Sequence, residues 1–214
     1  MRKKTLEFDR FDEELVVALD IETTGLRIPQ NAGIDSLTAS KIFGVENASD
    51  EILQLAIVDQ NGKTLFYDGF LPVRKTSWPK AQAIHNIAPD DVVHNQTFFA
   101  RLEEIQSIID KATLLSAYNV VFDFGFLQGQ GIRFSEKPYV DVMETFAEAF
   151  SKRKRPGYKP KWKSLAYCAN FFGLTNEKEH NALADARLTM ECLNAMRHDA
   201  SFHVQTRKWI TPNF

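Results

Sequence analysis

Residues 14–22, ELVVALDIE, constrain this chain more than any other segment. Read as an extended strand, one face carries Val16, Ala18, Asp20 and Glu22, and the other carries Val17, Leu19 and Ile21. Apolar side chains on both faces suit a strand covered on both sides, so the chain must build a sheet with a layer above and a layer below it. The acids come only at the strand's end, where a sheet opens toward solvent. Two residues apart, they project to the same face, and burying both without a positive partner is costly.

The rest of the chain supplies material for such a sheet. Residues 51–59 and 64–71 read as two more strands, with Asn61-Gly62 between them as a tight-turn signal for an antiparallel hairpin. Residues 98–109 show helical spacing, with Leu102, Ile105, Ile108 and Ile109 on one side. Residues 113–117 make a fourth strand. Asn119 is then expected to cap a helix from Val120, ended by Gly129 and Gly131. A fifth strand near Tyr139-Val140 leads into a helix over 142–150, and helices at 163–172 and 183–196 follow. The order βββαβαβααα predicts an α/β fold, a mixed five-stranded sheet flanked by helices.

At 214 residues the chain suits one domain, placed at 1–198, with residues 199–214 as a C-terminal tail carrying Phe202, Trp209, Ile210 and Phe214. The tail is expected either to dock on the domain or to meet a partner. The connection over residues 27–50 is long for a compact domain, so it is either functional or ordered by its own short helix. No apolar run approaches the roughly 20 residues a membrane helix needs, and no signal-peptide pattern opens the chain. The two cysteines, Cys168 and Cys192, read as buried reduced thiols of a cytoplasmic protein. A net charge of −2 argues against a long electrostatic grip on duplex DNA and leaves room for a local hold on a strand end.

Two further acids stand out. Asp123 lies in VVFDFGFL, an otherwise almost wholly apolar helix, four residues after Asn119 and on the same side. In HNALADA, residues 180–186, His180 and Asp185 are offset by about 140° on a regular helix and do not share a face. If Asn181 caps that helix, His180 falls in the preceding loop and can fold back toward Asp185. Residues 152–163, KRKRPGYKPKWK, hold seven basic residues and no acid, interleaved with Tyr158 and Trp162, a pattern suited either to holding an unpaired strand or to a plain solvated loop.

Together, LDIETTGL, SAYNVVFDFGFL and HNALADA resemble the three motifs of the DEDDh branch of DnaQ-like 3′→5′ exonucleases, in the same order and at compatible distances. The resemblance runs over about residues 14–196 and implies a ribonuclease H-like fold. AIHNIAPDDV is similar to the family's His-Gly-Ile-Thr segment, with Asn86 in place of the glycine. Tyr118 stands where a histidine is frequent, and the 27–50 connection is longer than usual.

What the resemblance implies about the site is specific. Asp20, Glu22, Asp123 and Asp185 would bind two Mg²⁺ or Mn²⁺ ions, a pair suited to activating water and stabilising a leaving oxygen. His180 would act as general base, completing a catalytic set of five. Thr23, Thr24, Gly25, Leu26, His85 and Asn119 would meet the terminal nucleotide. The expected substrate is single-stranded DNA or another free 3′ end, released as nucleoside 5′-monophosphates, with a DNA polymerase or repair protein as partner and no membrane role. Three alternatives stay open: the same chemistry on RNA or short oligonucleotides, a non-catalytic binding or scaffold subunit, and a two-carboxylate glycosidase, which would leave Asp123 and Asp185 without a task.

Overall fold

A computed structural model describes residues 14–29, 50–154, 161–175 and 180–209. Most of the 27–50 connection, and the side chains of residues 150–160, lie outside them. The strands are β1 (Val16–Thr23), β2 (Ile52–Asp59), β3 (Thr64–Gly69), β4 (Leu114–Ala117), β5 (Pro138–Asp141) and β6 (Arg207–Lys208). The helices are α1 (Pro79–His85), α2 (Pro89–Val92), α3 (Leu102–Lys111, after a 3-10 turn), α4 (Val120–Gly129), α5 (Val142–Lys154), α6 (Leu165–Phe171) and α7 (Ala182–His198).

They form a mixed sheet in the order β3-β2-β1-β4-β5-β6. β1 sits inside the sheet, antiparallel to β2 and parallel to β4, as its two apolar faces require. One face, through Val16, Ala18, Val58 and Val140, packs on Phe146 of α5, Cys168 of α6 and Leu193 of α7. The other, through Val17, Leu19 and Ile21, packs on Ile105 and Ile109 of α3 and Phe124 and Leu127 of α4. The Asn61-Gly62 turn closes the β2–β3 hairpin, with Gly62 in the left-handed region (φ 77°) and the Asp59 carboxylate accepting from Asn61 and Lys63.

The sheet has six strands rather than the expected five. β6 is two residues long and pairs antiparallel with β5, too short for any periodicity to announce it. Beside it, Phe202 is buried against Phe146, and Trp209 packs edge-on against Phe124, Phe134 and Tyr139 while its indole N–H donates to Gln128. Residues 202–209 therefore dock on the domain.

Gly129 ends α4 as expected, and its packing needs a glycine there as much as the turn does. It is the helix's last buried residue, and a Cβ there would lie 2.4 Å from the Cβ of Pro29, while one at Gly125 would lie 2.8 Å from Ile28. The two glycines, one turn apart, form a flat strip that receives the chain leaving β1. Gly131, at φ 106°, makes the turn itself.

Candidate active site

β1 and β4 pair only from Val16–Ala18 to Leu114–Ser116; past that point the two parallel strands part, opening a crevice at their carboxyl ends. Asp20 and Glu22 lie on the stretch of β1 beyond the pairing, on the face that α7 covers. Asp123, in the first turn of α4 and only 3% exposed, reaches the same crevice from β4's side. The backbone N–H groups of Asp123 and Ile21 beside its carboxylate favour its charged form.

These acids feel one another. Burial holds Asp20 well above the usual carboxylate range, and Asp123, Glu22 and Asp185 each push it further. Burial and then Asp185 raise Glu22 from 4.5 to about 8. Asp123 is raised by burial, against its two backbone hydrogen bonds, with Asp141 and Glu22 adding to the rise. Carboxylates from three elements thus meet at one place and suppress one another's charge.

α7 begins as its sequence suggests. Asn181 is the cap, its side-chain oxygen accepting from Ala184 N–H at 3.2 Å. His180 lies outside the helix in the left-handed region, φ 61°, a conformation histidine adopts more readily than most residues but at some cost in strain. Asp185 steadies it by accepting His180 N–H at 3.0 Å. Ligand atoms of Glu22, His180 and Asp185 all fall within 4.8 Å of one another, so the 140° offset is overcome by the loop, not by the helix.

The residues expected to meet substrate divide into two groups. Leu26 is 82% exposed, and Asn119 is exposed at the start of α4. The others are engaged within the protein. Thr23 donates to Gly25 O, and Thr24 donates to Asp50 Oδ1 at 3.2 Å while accepting from Glu51 N–H. A Cβ on Gly25 would sit 2.5 Å from the Asp50 carboxylate. Asp50 also accepts from Arg27 N–H and pairs with Lys75, so it pinches together the two ends of the 27–50 connection beside the site. His85 accepts Ile87 N–H on Nδ1, which leaves Nε2–H to donate to Thr23 O at 3.1 Å. Burial lowers its pKa, as does His180 nearby, against the Thr23 bond, so it stands neutral against the loop after β1. Asn86, where a glycine is usual, closes α1 at φ 61°, the left-handed conformation that asparagine tolerates.

Asn119 does not cap α4 with its side chain. Asp141, at the end of β5, takes that role: its Oδ2 accepts Val120 N–H, and its Oδ1 accepts Glu144 N–H at the start of α5. Burial raises Asp141 to about 6, its two backbone bonds opposing. It adds negative potential behind Asp123, and its only signal in sequence was an acid at the end of a strand. Gln54 was missed as well. It faces Glu22 in the β1–β2 register, and its side chain accepts Ala182 N–H at 3.1 Å, fastening the start of α7 to β2. Tyr67 on β3 accepts from Asn181 at 3.2 Å and adds a second tie.

The donor set suits divalent cations. The chief influences on Asp20 all favour its protonated form, and a hard cation bound by oxygen ligands is what would let this cluster ionise at neutral pH. The two cysteines lie elsewhere, both buried and not joined in a disulfide, Cys168 on α6 and Cys192 on α7.

The exonuclease family model RNase_T matches residues 17–193. The chain is similar to DNA polymerase III subunit epsilon of Treponema pallidum (strain Nichols), 28% identical over 180 residues, covering 84% of this chain and 74% of the relative. Its fold is similar to that of cell-death related nuclease 4 (TM-score 0.64, 16% identity), covering 90% of this chain and 66% of that one. It is also similar to the nuclease domain of 3′hExo, a DEDDh family member bound to rAMP (TM-score 0.60, 13% identity), over 91% of this chain and 97% of that one.

Proposed function

The chain belongs to the RNase_T exonuclease family, and from that premise we propose that it removes nucleoside 5′-monophosphates from the 3′ end of single-stranded DNA. The carrying observation is Asp20, enclosed by Asp123, Glu22 and Asp185, each raising its pKa. These four acids would hold two Mg²⁺ or Mn²⁺ ions, which supply a more acidic bound water and shield the charge on the leaving oxygen.

The chain's own residues do the rest. His180 takes the proton of the attacking water, from a loop whose backbone N–H is held by Asp185. Neutral His85 braces the loop after β1, and Asp50 holds Thr24 and Gly25 close behind it. Leu26 and Asn119, exposed at the rim, meet the terminal nucleotide. A polymerase or repair protein is the proposed partner, given the epsilon-subunit relative. The thiols of Cys168 and Cys192, not joined in a disulfide, support a cytoplasmic setting, and no helix among the described residues is long and apolar enough to cross a membrane.

The test is digestion of 5′-labelled single-stranded DNA, duplex DNA and matched RNA with Mg²⁺ or Mn²⁺, with and without EDTA. A ladder shortening from the 3′ end, fastest on single-stranded DNA and abolished by EDTA, is expected. Faster loss of RNA would move the substrate to RNA. Intact label on every substrate would refute the nuclease reading of this site.

A further inference from the structure

We infer that Lys161, Trp162 and Lys163 form a second contact for the substrate, a stacking platform for the single-stranded polynucleotide lying 5′ to the nucleotide being removed. The inference rests on the nuclease reading and adds to it where the strand goes.

Tyr118, at the end of β4 and next to rim residue Asn119, is 8% exposed, yet its hydroxyl does not end in the core. Its one proton is shared between the carbonyl oxygens of Lys163 and Ser164, each 2.8 Å from the hydroxyl. Burial raises its pKa, so the phenol stays a donor. Ser164 in turn caps α6 by accepting Tyr167 N–H. The segment entering α6 is therefore moored to Tyr118, directly after β4 and next to rim residue Asn119.

On that mooring Trp162 is turned outward, 69% exposed. A lone exposed indole means little. This one stands between Lys161, exposed, and Lys163, whose ammonium lies 4.6 Å from the centre of the Tyr167 ring. In the sequence it closes a run, residues 152–163, that holds seven of the chain's 26 basic residues and no acid. A protein of net charge −2 with an acidic crevice repels a polyanion at its active site. An exposed indole flanked in sequence by Lys161 and Lys163, next to the segment that Tyr118 holds, has the chemistry that holds phosphates and stacks unpaired bases. Tyr118 fits this arrangement too, since a phenol reaches carbonyls that a shorter side chain at that position would leave unmet.

The full chain is assayed with Mg²⁺ on a dinucleotide and on a single-stranded oligonucleotide of about 12 residues, a length that spans such platforms. Trp162→Ala is expected to raise KM for the oligonucleotide roughly 30-fold, the middle of the range for one lost base–aromatic stack. It should leave kcat and dinucleotide hydrolysis unchanged, and Trp162→Tyr should restore the oligonucleotide KM. Lys161→Gln should reduce the salt slope of oligonucleotide binding by about 0.7. An oligonucleotide KM within twofold of wild type in Trp162→Ala overturns the inference, as does an equal loss on the dinucleotide. Independently, the oligonucleotide in EDTA should quench wild-type tryptophan emission more than that of Trp162→Phe, in which only Trp78 and Trp209 remain. Equal quenching overturns the platform. Should wild type cleave neither substrate, the nuclease reading falls while the emission titration still decides this contact.

Discussion

Glu22→Gln should stabilise the metal-free protein while destroying its activity. In the fold, Glu22 keeps its proton up to about pH 8, because of burial and then Asp185, whereas its ordinary value is 4.5. Between those two values the folded chain binds a proton that the unfolded chain has released. Stability therefore falls as pH rises through that window and is unaffected by this group below it. At about 1.4 kcal/mol per pKa unit, the full shift sets a ceiling of roughly 5 kcal/mol. Water entering the crevice and relaxation of the neighbouring acids bring the expected effect to about 1–3 kcal/mol. Glutamine keeps the shape and never ionises. In EDTA at pH 8.5 the variant should melt about 2–12 °C above wild type, at 2–4 °C per kcal/mol for a domain of this size. At pH 4, below the window, the two should melt together. Saturating Mg²⁺ should raise wild type more than the variant, because bound cations stabilise the state that holds them. Thermal unfolding followed by circular dichroism at the two pH values provides the measurement. A variant less stable than wild type in EDTA at pH 8.5, or a gap that does not change with pH, would refute the idea that these carboxylates strain the empty site.

Three further outcomes follow from the same geometry. His180→Ala should lower kcat about 10²–10⁴-fold while calorimetric Mn²⁺ binding survives, and normal turnover would remove it from the reaction. Gln54→Met should cost about 1 kcal/mol of stability and reduce kcat several-fold with KM little changed, since only the seating of α7 beside Glu22 is lost. An unaltered kcat would show that the Asn181 cap alone suffices. Gly129→Ala should destabilise by about 1–3 kcal/mol in urea unfolding despite alanine's better helix propensity, because its Cβ would press on Pro29. A neutral result there would mean that Ile28 and Pro29 lift away freely.

The acids of the site were legible because each broke a local pattern. Asp20 and Glu22 interrupted an apolar strand, Asp123 interrupted an apolar helix, and His180 preceded a capped helix carrying Asp185. The cap itself was readable at Asn181, whose oxygen does bind Ala184, but not at Asn119, because Asp141 arrives from β5 to take the same N–H. Nothing near position 119 in sequence records that arrival. The 3.6 and 2 residue periods located the major helices and strands for the same local reason, and missed β6, which has two residues, and α1 and α2, which are short.

What the sequence determined by itself is the central strand, the hairpin, the helices and the list of charged side chains that do not belong in a core. Tertiary structure alone decided the register that sets Gln54 opposite Glu22, the carboxylate of Asp50 clamped on Thr24 and Gly25, and the parting of β1 from β4 past Ala18. The division has a physical cause. Periodicity and capping act over a few residues and leave marks in the chain. The repulsion among Asp20, Glu22, Asp123 and Asp185 instead depends on distances between residues up to 165 positions apart, set only once sheet and helices have packed.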